Sequence, residues 1–428
     1  MTTGKLGISM ALLVALASCA QSPPRMAKEK NSAADPKAIH SSALIVDTHA
    51  DTTQYFVEDF DITSGALAKG RHFDLDLARK GNLGAEFFSV WVDPKSPYAR
   101  GRFALATFDQ IDAVRRQVEK HPDRMVLATS PADIQRAHAA GKLAALMGIE
   151  GGHSIENSLP LLRNFYRLGV RYMTLTWSNT NDWADSSGDL DEKNVKHHNG
   201  LTAFGEDVVR EMNWLGMMVD VSHVSDRTFY RALTISRAPV IASHSSARAL
   251  TPHARNMTDD MLRAMARNGG VVMVNFYSAF IDEDYRKAAN AHRAAADAAE
   301  RDLALRMQGA SRRDYYAAFH RLHQEYADRL PRPPLKSLID HIDHVAKVAG
   351  VDHVGLGSDF DGITSLPQGI DSVADLPKIT AALVERGYTR EQIHKVLGGN
   401  LMRVFREVER MAGQIQMEKP EPAPGSAQ

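Results

Sequence analysis

The 428-residue sequence contains a single cysteine, Cys19, so the chain can form no intramolecular disulfide bond. It also lacks an excess of either charge, because 51 Lys and Arg residues oppose 52 Asp and Glu residues, for a formal net charge of −1. This balance gives no indication of a polyanionic partner, and we expect no nucleic-acid binding. No internal repeat is visible. The composition is that of an ordinary globular protein, 44% hydrophobic and 24% charged.

The N terminus carries a lysine, an apolar run over residues 6–17, and then Ser18 and Cys19. The run is too short to span a bilayer as a helix. Small residues directly before a cysteine resemble the lipobox of bacterial lipoproteins, in which the cysteine is acylated after cleavage. We therefore expect residues 1–18 to be a lipoprotein signal peptide and residues 19–40 a flexible tether, with lipid on Cys19 anchoring the protein in the bacterial cell envelope, on its periplasmic face. An ordinary signal peptide with a chance cysteine is the alternative.

From about residue 41, short β-branched or apolar runs alternate with amphipathic stretches of helical period. We predict eight strands, at Ala43–Val46, Ala85–Val92, Leu143–Ile149, Tyr172–Thr176, Met217–Val221, Val240–Ser243, Val271–Asn275 and His353–Gly357. The clearest helical stretches between them are Ala104–Glu119, Leu159–Leu168, Leu201–Leu215, Asp226–Ile235, Asp259–Arg267 and Leu335–Val348. This α/β alternation favours a single closed (β/α)8 barrel of the TIM type over residues 41–412. An open doubly wound sheet, usually of about six strands, is the structural alternative.

Two segments depart from this alternation. Residues from about Asp282 to Leu330 are charged and rich in alanine, which predicts a helical insertion between the last two strands. We expect it to form a lid, an interface or both, and a homodimer is one option for the oligomeric state. Residues 413–428 are rich in proline near their end, and we expect a disordered tail.

Barrels of this type carry their chemistry at the carboxyl ends of the strands. Here the predicted strand ends carry three histidines and three carboxylates: His49, Asp51, Glu150, His223, His244 and Asp359. Burying such a group together is costly unless a cation compensates it. Neutral imidazole and carboxylate suit zinc, with manganese or iron as alternatives. Each residue alone has an ordinary structural explanation, such as a helix cap, but their joint placement predicts a metal site.

A two-metal arrangement accounts for all of these groups. One metal would be bound by His49, Asp51 and Glu150. A second would be bound by His223, His244 and Glu150, so that Glu150 is the bridging ligand. Two metals about 3.5–4 Å apart can share a water, lower its pKa towards about 7 and polarise a carbonyl. Asp359 would then accept the proton of that water and pass it to the leaving amine. The pattern therefore predicts a metal-dependent hydrolase.

The same segments resemble the membrane (renal) dipeptidase family, zinc dipeptidases with amidohydrolase-like barrels. The tracts that carry the resemblance are Val46–Asp51, Gly148–Ser154, Val219–Ser225, Ala238–Ser246, Arg255-Asn256, Val272–Tyr277, Ser358–Gly362 and Gly399–Phe405. The similarity runs from about residue 43 to about residue 410. It implies two zinc ions bound as above and hydrolysis of the peptide bond of dipeptides, L-D dipeptides included.

The resemblance also implies residues that bind the substrate. Arg255 would grip the substrate's terminal carboxylate with two hydrogen bonds, and a surface salt bridge is its structural alternative. Tyr277 would line the pocket, unless it only packs in the core. Trp177 stands where mammalian members carry a substrate-facing histidine, and it can donate only through its indole N–H. Either another donor replaces that histidine, with weaker or redirected activity, or Trp177 is a plain pocket wall.

Two other functions remain open. Many related amidohydrolases, acting on N-acyl amino acids or lactones, bridge their metals with a carboxylated lysine near the fourth strand. Here the fourth strand ends Thr174-Leu175-Thr176-Trp177 without a lysine, and Glu150 supplies the bridge, which favours the dipeptidase. A non-enzymatic binding lipoprotein is the second alternative, supported only by Trp177.

Overall fold

The computed structural model describes Met1 and residues 35–58, 60–96, 98–99 and 102–418. The chain divides into residues 1–34 and residues 35–428, and the fold below is that of the second unit. The predicted signal peptide, most of the predicted tether and the proposed lipid attachment site Cys19 lie outside the described residues, as does the end of the predicted tail. Across the described residues, no helix combines the length and the apolar character needed to cross a membrane.

Within the described residues, nine strands form one parallel sheet. They are β1 (Ile45–Ala50), β2 (Leu83–Trp91), β3 (Met125–Leu127), β4 (Leu143–Glu150), β5 (Val170–Thr174), β6 (Met218–Asp220), β7 (Ile241–Ala242), β8 (Val271–Val274) and β9 (Val354–Leu356). Their order is β2-β1-β9-β8-β7-β6-β5-β4-β3, and β2 also pairs with β4 along its length. This last pairing closes eight strands into a barrel, which confirms the predicted (β/α)8 fold and excludes an open sheet.

The helices cover the outside of the barrel and its two ends. They are α1 (Pro36–Ser41), α2 (Thr53–Phe56), α3 (Leu75–Lys80), α4 (Phe103–Lys120), α5 (Pro131–Ala139), α6 (Leu159–Arg167), α7 (Ala203–Leu215), α8 (Asp226–Ile235), α9 (Asp259–Asn268), α10 (Ser278–Ile281), α11 (Glu283–Arg306), α12 (Arg312–Ala327), α13 (Leu335–Ala349), α14 (Leu376–Glu385), α15 (Arg390–His394) and α16 (Asn400–Glu418). The predicted charged insertion is confirmed as the pair α11 and α12 between β8 and β9.

The eight predicted strands all exist, but their ends differ from the prediction. The first was expected to end at Val46, whereas β1 continues to Ala50 through polar residues. The polar residues after Val46 suggested a loop. Every residue of β1 is nevertheless buried, because its polar side chains lie in a polar part of the interior. Strand β3 was not predicted, since its three residues are too few to show a period. It pairs with the first three residues of β4, and β5 pairs with the later residues of the same strand.

Two helices extend across the predicted segment boundaries. Helix α1 lies inside the segment expected to be a tether, and it begins with Pro36 after a capping carboxylate from Asp35. Its His40 is buried and contacts the hydroxyl of Thr380. At the other end, α16 runs to Glu418, beyond the expected boundary at residue 412, because Ile415 continues its buried face.

The lower part of the barrel is filled by apolar side chains. Strand residues that face inward pack with residues of α16 in one cluster, which includes Val46, Phe87, Leu146, Tyr172, Met273, Leu401 and Phe405. Asn400, the first residue of α16, donates to the carbonyls of Val351 and Val354 where β9 begins. Helix α16 therefore closes the amino end of the barrel, and the polar residues lie at the opposite, carboxyl end.

Candidate metal centre

Five strands bring the six predicted residues to one place. His49 and Asp51 lie at the end of β1, and Glu150 is the last residue of β4. The other three follow the ends of β6, β7 and β9 within three residues: His223, His244 and Asp359. All six residues are buried, none more than 8% exposed. The structure thus brings together the imidazoles and carboxylates that the sequence analysis selected.

Glu150 lies at the centre of this group. Its Oε1 is 2.8 Å from Nε2 of His223 and 3.4 Å from Nε2 of His244. Its Oε2 is 3.5 Å from Nε2 of His49. That same nitrogen is 3.5 Å from Oδ2 of Asp51. One oxygen of this carboxylate therefore faces His49, and the other faces His223 and His244.

The residues present fit divalent cations. Two sets offer ligand atoms within 4.8 Å of one another, namely His49 with Glu150 and His244, and His49 with Asp51 and Asp359. Nε2 of His49 and Oδ1 of Asp51 are buried and have no hydrogen-bond partner among the described residues. Such atoms are costly to bury unless something else binds them. Imidazole nitrogens and carboxylate oxygens are the donor set that zinc prefers at catalytic sites.

Burial and mutual charge place His223, His244 and Glu150 in the protonation states that metal binding needs. Burial lowers the pKa of His223 to about 3 and that of His244 well below its usual value, so both imidazoles are neutral. Burial alone would raise the pKa of Glu150, but the positive charge of His49 and the contacts with His223 and His244 hold it well below its usual value. Neutral imidazole and ionised carboxylate are the forms that bind metal.

The pKa of Asp359 is shifted in the opposite direction from that of Glu150. Burial, reinforced by the negative charges of Asp51 and Glu150, raises the pKa of Asp359 to about 7. Asn275 donates a hydrogen bond from Nδ2 to Oδ2 of Asp359 over 2.8 Å, which fixes the orientation of the carboxyl group. A carboxyl group with a pKa near neutrality is suited to accept and release protons.

The backbone is unusual at two of these positions. His223 and Asp359 adopt left-handed conformations, with φ of 67° and 64°, which non-glycine residues rarely do. Hydrogen bonds hold both, since the carbonyl of His223 accepts from the backbone of Ser187 and the backbone N–H of Asp359 donates to the carbonyl of His49. Such conformations cluster at functional sites, where surrounding structure maintains them.

Arg255 lies beside the group, buried to 7% exposure. Its Nη1 donates to Oγ of Ser245 over 3.3 Å and its Nη2 to the carbonyl of His244 over 3.1 Å. Its Nε has no partner among the described residues, and burial lowers the pKa of Arg255 to about 10, so the guanidinium stays charged. The alternative of a surface salt bridge does not apply to a buried side chain that forms no ion pair within the described residues.

Trp177 and Tyr277, the two aromatic residues proposed for the pocket, contact different neighbours. The ring of Trp177 is half-buried, 4.9 Å from that of Trp91 and 6.3 Å from that of His223. Tyr277 is half-buried too, and its ring packs 5.0 Å from that of Phe280. Trp177 is therefore the nearer of the two to a histidine of the site.

The insertion lies against the mouth of the barrel. A cavity of about 300 Å³ is bounded by Gln54 and Trp91 on the barrel side and by Arg312 and Tyr316 of α12 on the other. Arg312 also donates to the side-chain carbonyl of Gln54, three residues beyond Asp51. The insertion thus forms one wall of this cavity, and its role as a lid or an interface stays a prediction.

Several residues around the ligands received no role from the sequence. They are Tyr172, Asp220, Ser243 and Asn275, each buried and hydrogen-bonded next to one of the six. Asp220 and Asn275 are polar residues at the ends of apolar strands, and that position was the available indication. Tyr172 lies within an apolar strand, where nothing in the sequence separates it from an ordinary core residue.

The comparisons with known proteins identify the family of this chain. Residues 33–419 match the family model described as membrane dipeptidase, peptidase family M19. The chain belongs to the membrane dipeptidase family. Among relatives of this family, Dipeptidase tcpJ of Claviceps purpurea is 38% identical over 349 residues, which are 80% of this chain and 70% of that protein. This confirms the resemblance on which the sequence analysis relied.

Solved structures of membrane dipeptidases and similar proteins share the barrel. The probable dipeptidase PvdM from Pseudomonas aeruginosa superposes with a TM-score of 0.75 and 26% identity, covering 88% of this chain and 98% of its own. A metallopeptidase from Rhodobacter sphaeroides, solved with a phosphinate mimic of the dipeptide L-Ala-D-Ala, has a TM-score of 0.66 and 24% identity, with 86% and 99% covered. This membrane dipeptidase is accordingly a hydrolase and a metal-dependent peptidase.

Proposed function

We propose that this membrane dipeptidase hydrolyses the peptide bond of dipeptides with two zinc ions that share Glu150. The observation that carries the proposal is the position of the Glu150 carboxylate, with one oxygen facing His49 and the other facing His223 and His244. Asp51 would complete the first ion's ligands on the side of His49. Zinc bound there supplies positive charge that polarises a carbonyl and lowers the pKa of water.

Arg255 is the residue that would hold the substrate by its terminal carboxylate. Its guanidinium is buried and charged, and its Nε is free to donate within the described part of the chain. It lies next to His244, because Nη2 contacts that residue's carbonyl. A charge-assisted pair between a guanidinium and a carboxylate is both strong and directional. A dipeptide held in this way presents its only peptide bond close to the ligand histidines.

Asp359 is the group that would move protons. Its carboxyl lies within 4.8 Å of ligand atoms of His49 and Asp51, and Asn275 holds one of its oxygens. The other oxygen can accept a proton from water and return it to the nitrogen of the departing amino acid. Trp177, half-buried beside His223, would line the pocket and offer its indole N–H in place of the histidine of mammalian relatives. Tyr277 would line the pocket as well.

We propose that the accepted dipeptides include those with a D-residue at the carboxyl end. The phosphinate mimic of L-Ala-D-Ala in the Rhodobacter sphaeroides metallopeptidase supports this extension. Recognition through the two charged ends of the substrate places few demands on the configuration of the second side chain. The cavity of about 300 Å³ beside Trp91 offers space for a side chain at the mouth.

A dipeptide-library assay on zinc-loaded, full-length protein tests this function. We expect turnover of several L-L and L-D dipeptides, and little turnover of N-acyl amino acids or lactones. Glu150→Gln should abolish turnover and reduce bound zinc, whereas the matched control Glu385→Gln, an exposed residue at the end of α14, should behave as the wild type. Turnover confined to N-acyl amino acids or lactones would overturn the proposed substrate class, and turnover of none would favour a binding protein.

We also propose that Cys19 carries the lipid that anchors the protein in a bacterial envelope. The support is the sequence alone, a short apolar run that ends in Leu16-Ala17-Ser18-Cys19. Mass spectrometry of the mature N-terminal peptide should show a diacylated or triacylated cysteine at its first position. Cys19→Ser should release the protein from the membrane fraction, and an unmodified Cys19 in the mature chain would contradict the proposal.

A further inference from the structure

The imidazole of His49 is held from behind by a buried tyrosine. Nδ1 of His49 lies 2.8 Å from Oη of Tyr172, a residue with no solvent exposure. The same hydroxyl donates to the backbone carbonyl of Thr48 over 3.0 Å. A tyrosine hydroxyl has one proton, and a carbonyl oxygen can only accept. Since that proton is directed to Thr48, the hydroxyl oxygen must accept the hydrogen bond from Nδ1–H of His49.

This hydrogen bond determines which imidazole nitrogen is free. Because Tyr172 holds a proton on Nδ1, the proton that His49 gives up on binding a metal is the one on Nε2, and the lone pair is then on Nε2. Nε2 is the atom that has no hydrogen-bond partner in the described structure and lies 3.5 Å from carboxylate oxygens of both Asp51 and Glu150. The lone pair is therefore directed at the position between those carboxylates, where a cation would lie.

The hydroxyl of Ser243 fixes the proton of His244 on Nδ1 in the same way. Nδ1 of His244 lies 2.7 Å from Oγ of Ser243, and that hydroxyl donates to Oδ2 of Asp220 over 2.6 Å. Asp220 accepts further hydrogen bonds from the hydroxyl of Thr174 and from the backbone of Ser222 and Ser243. Its carboxylate thus acts only as an acceptor. The single proton of Ser243 is committed to Asp220, so Ser243 must accept from Nδ1–H of His244.

We propose that Tyr172 and Ser243 are positioning residues that hold His49 and His244 in the Nδ1–H tautomer, so that both Nε2 lone pairs face the metal centre. The inference rests on the proposed metal site. In the other tautomer, Nε2 would carry a proton directed at the cation, and binding would require that proton to move. Outer hydrogen bonds to a ligand histidine typically change metal affinity by about 10- to 100-fold.

The two variants that test this remove one hydroxyl each. Tyr172→Phe keeps the ring that packs 5.3 Å from that of Phe87, so it preserves the core while it deletes Oη. Ser243→Ala deletes Oγ and leaves the backbone N–H that donates to Asp220. Tyr285→Phe is a matched control, because Tyr285 is also a buried tyrosine but lies in α11 of the insertion.

The measurement is the zinc dissociation constant of full-length protein, obtained by competition with a chelator. We expect each of the two variants to bind zinc about 10- to 100-fold more weakly than the wild type, and Tyr285→Phe to match the wild type. At saturating zinc, kcat should recover towards the wild-type value, because neither hydroxyl contacts the substrate. Wild-type zinc affinity in both folded variants would overturn the inference.

A second readout does not depend on the stability of any variant. The imidazole ¹⁵N spectrum of metal-free wild-type protein should show His49 and His244 protonated at Nδ1, and either ring protonated at Nε2 but not at Nδ1 would overturn the inference for that residue. Different results would contradict the proposed function and the positioning role of Tyr172 and Ser243. A wild-type protein that binds no zinc contradicts the proposed function, whereas zinc binding that is insensitive to both hydroxyls contradicts only the role of Tyr172 and Ser243.

Discussion

Asn275 donates a hydrogen bond from Nδ2 to Oδ2 of Asp359 over 2.8 Å, across the gap between the ends of β8 and β9. One carboxylate oxygen is thereby held by the protein, and the other remains available to the reacting groups. Burial, together with the charges of Asp51 and Glu150, raises the pKa of this carboxyl to about 7. The pair therefore consists of a group suited to proton transfer and the residue that orients it.

Asp359→Asn should lower kcat by about 10²- to 10⁴-fold, the usual contribution of a positioned acid or base. Bound zinc should stay near the wild-type amount, because the amide keeps the shape of the side chain and the ligands are other residues. Asn275→Ala should have a smaller effect of the same kind, on kcat rather than on KM. Zinc lost in Asp359→Asn would assign Asp359 to the ligands instead, since it lies within 4.8 Å of His49 and Asp51.

Arg255→Ala should lower kcat/KM for dipeptides by about 10- to 150-fold, which corresponds to about 1.5–3 kcal/mol for hydrogen bonds to a charged group. Arg255→Lys should recover only part of this, because an ammonium keeps the charge but not the two parallel donors. The control substrate is the same dipeptide with an amidated carboxyl end, which lacks the carboxylate that Arg255 would bind. Its turnover should be slow in the wild type and change little in either variant, and an equal loss for acid and amide would contradict the assigned contact.

Gly362→Ala should disturb the metal centre without unfolding the barrel. A methyl group at this position would lie 2.1 Å from Oδ2 of Asp51 and 2.5 Å from Oδ1 of Asp359, so both carboxylates must move. We expect zinc affinity to fall by about tenfold or more, as for other changes that reorient ligands. The control is Gly413→Ala on α16, where no atom lies within 4 Å of the added methyl group. Wild-type zinc affinity and kcat in Gly362→Ala would show that these carboxylates need no fixed position.

Glu86→Gln should change how stability depends on pH. Glu86 is fully buried, and neither carboxylate oxygen has a hydrogen-bond partner among the described residues. Burial, with a further contribution from Asp47, raises the pKa of Glu86 well above its usual value. The unfolded chain therefore releases this proton at lower pH than the folded chain, and stability is lost as pH rises from about 4.3, the ordinary Glu pKa, through the folded-state pKa.

In the glutamine variant this loss is absent. Across that pH window, the free energy of unfolding of Glu86→Gln should rise relative to that of the wild type by up to about 1.4 kcal/mol per pH unit. Below the window, the difference between the two free energies should be constant. Urea unfolding at several pH values and equal zinc concentration measures the difference, with exposed Glu385→Gln as the control. A pH-independent difference between Glu86→Gln and the wild type would show that Glu86 is ionised in the folded protein.

The ligand residues could be predicted from the sequence because they follow apolar runs of strand length. His223 and His244 each stand a few residues after such a run, and parallel strands deliver their carboxyl ends to one face of a barrel. Buried polar residues inside a strand give no such indication. The first strand was therefore expected to end at Val46, whereas β1 carries His49 within the sheet.

The residues that orient the ligands could not be predicted in this way. Tyr172 lies in the middle of β5, and its role depends on the distance between its hydroxyl and His49, a residue 123 positions away in sequence. Ser243 precedes His244 directly, but a serine beside a histidine is common, and only the contact with Asp220 distinguishes it. Such relationships depend on the three-dimensional packing of distant segments, which periodicity does not encode.

The number of zinc ions bound per chain tests the central claim most directly. Metal analysis of zinc-reconstituted, extensively dialysed protein should give two ions per chain, and Glu150→Gln should lower that number, because both ions share this carboxylate. Binding of no more than one zinc ion per wild-type chain, or two ions retained in Glu150→Gln, would contradict the bridging role of Glu150.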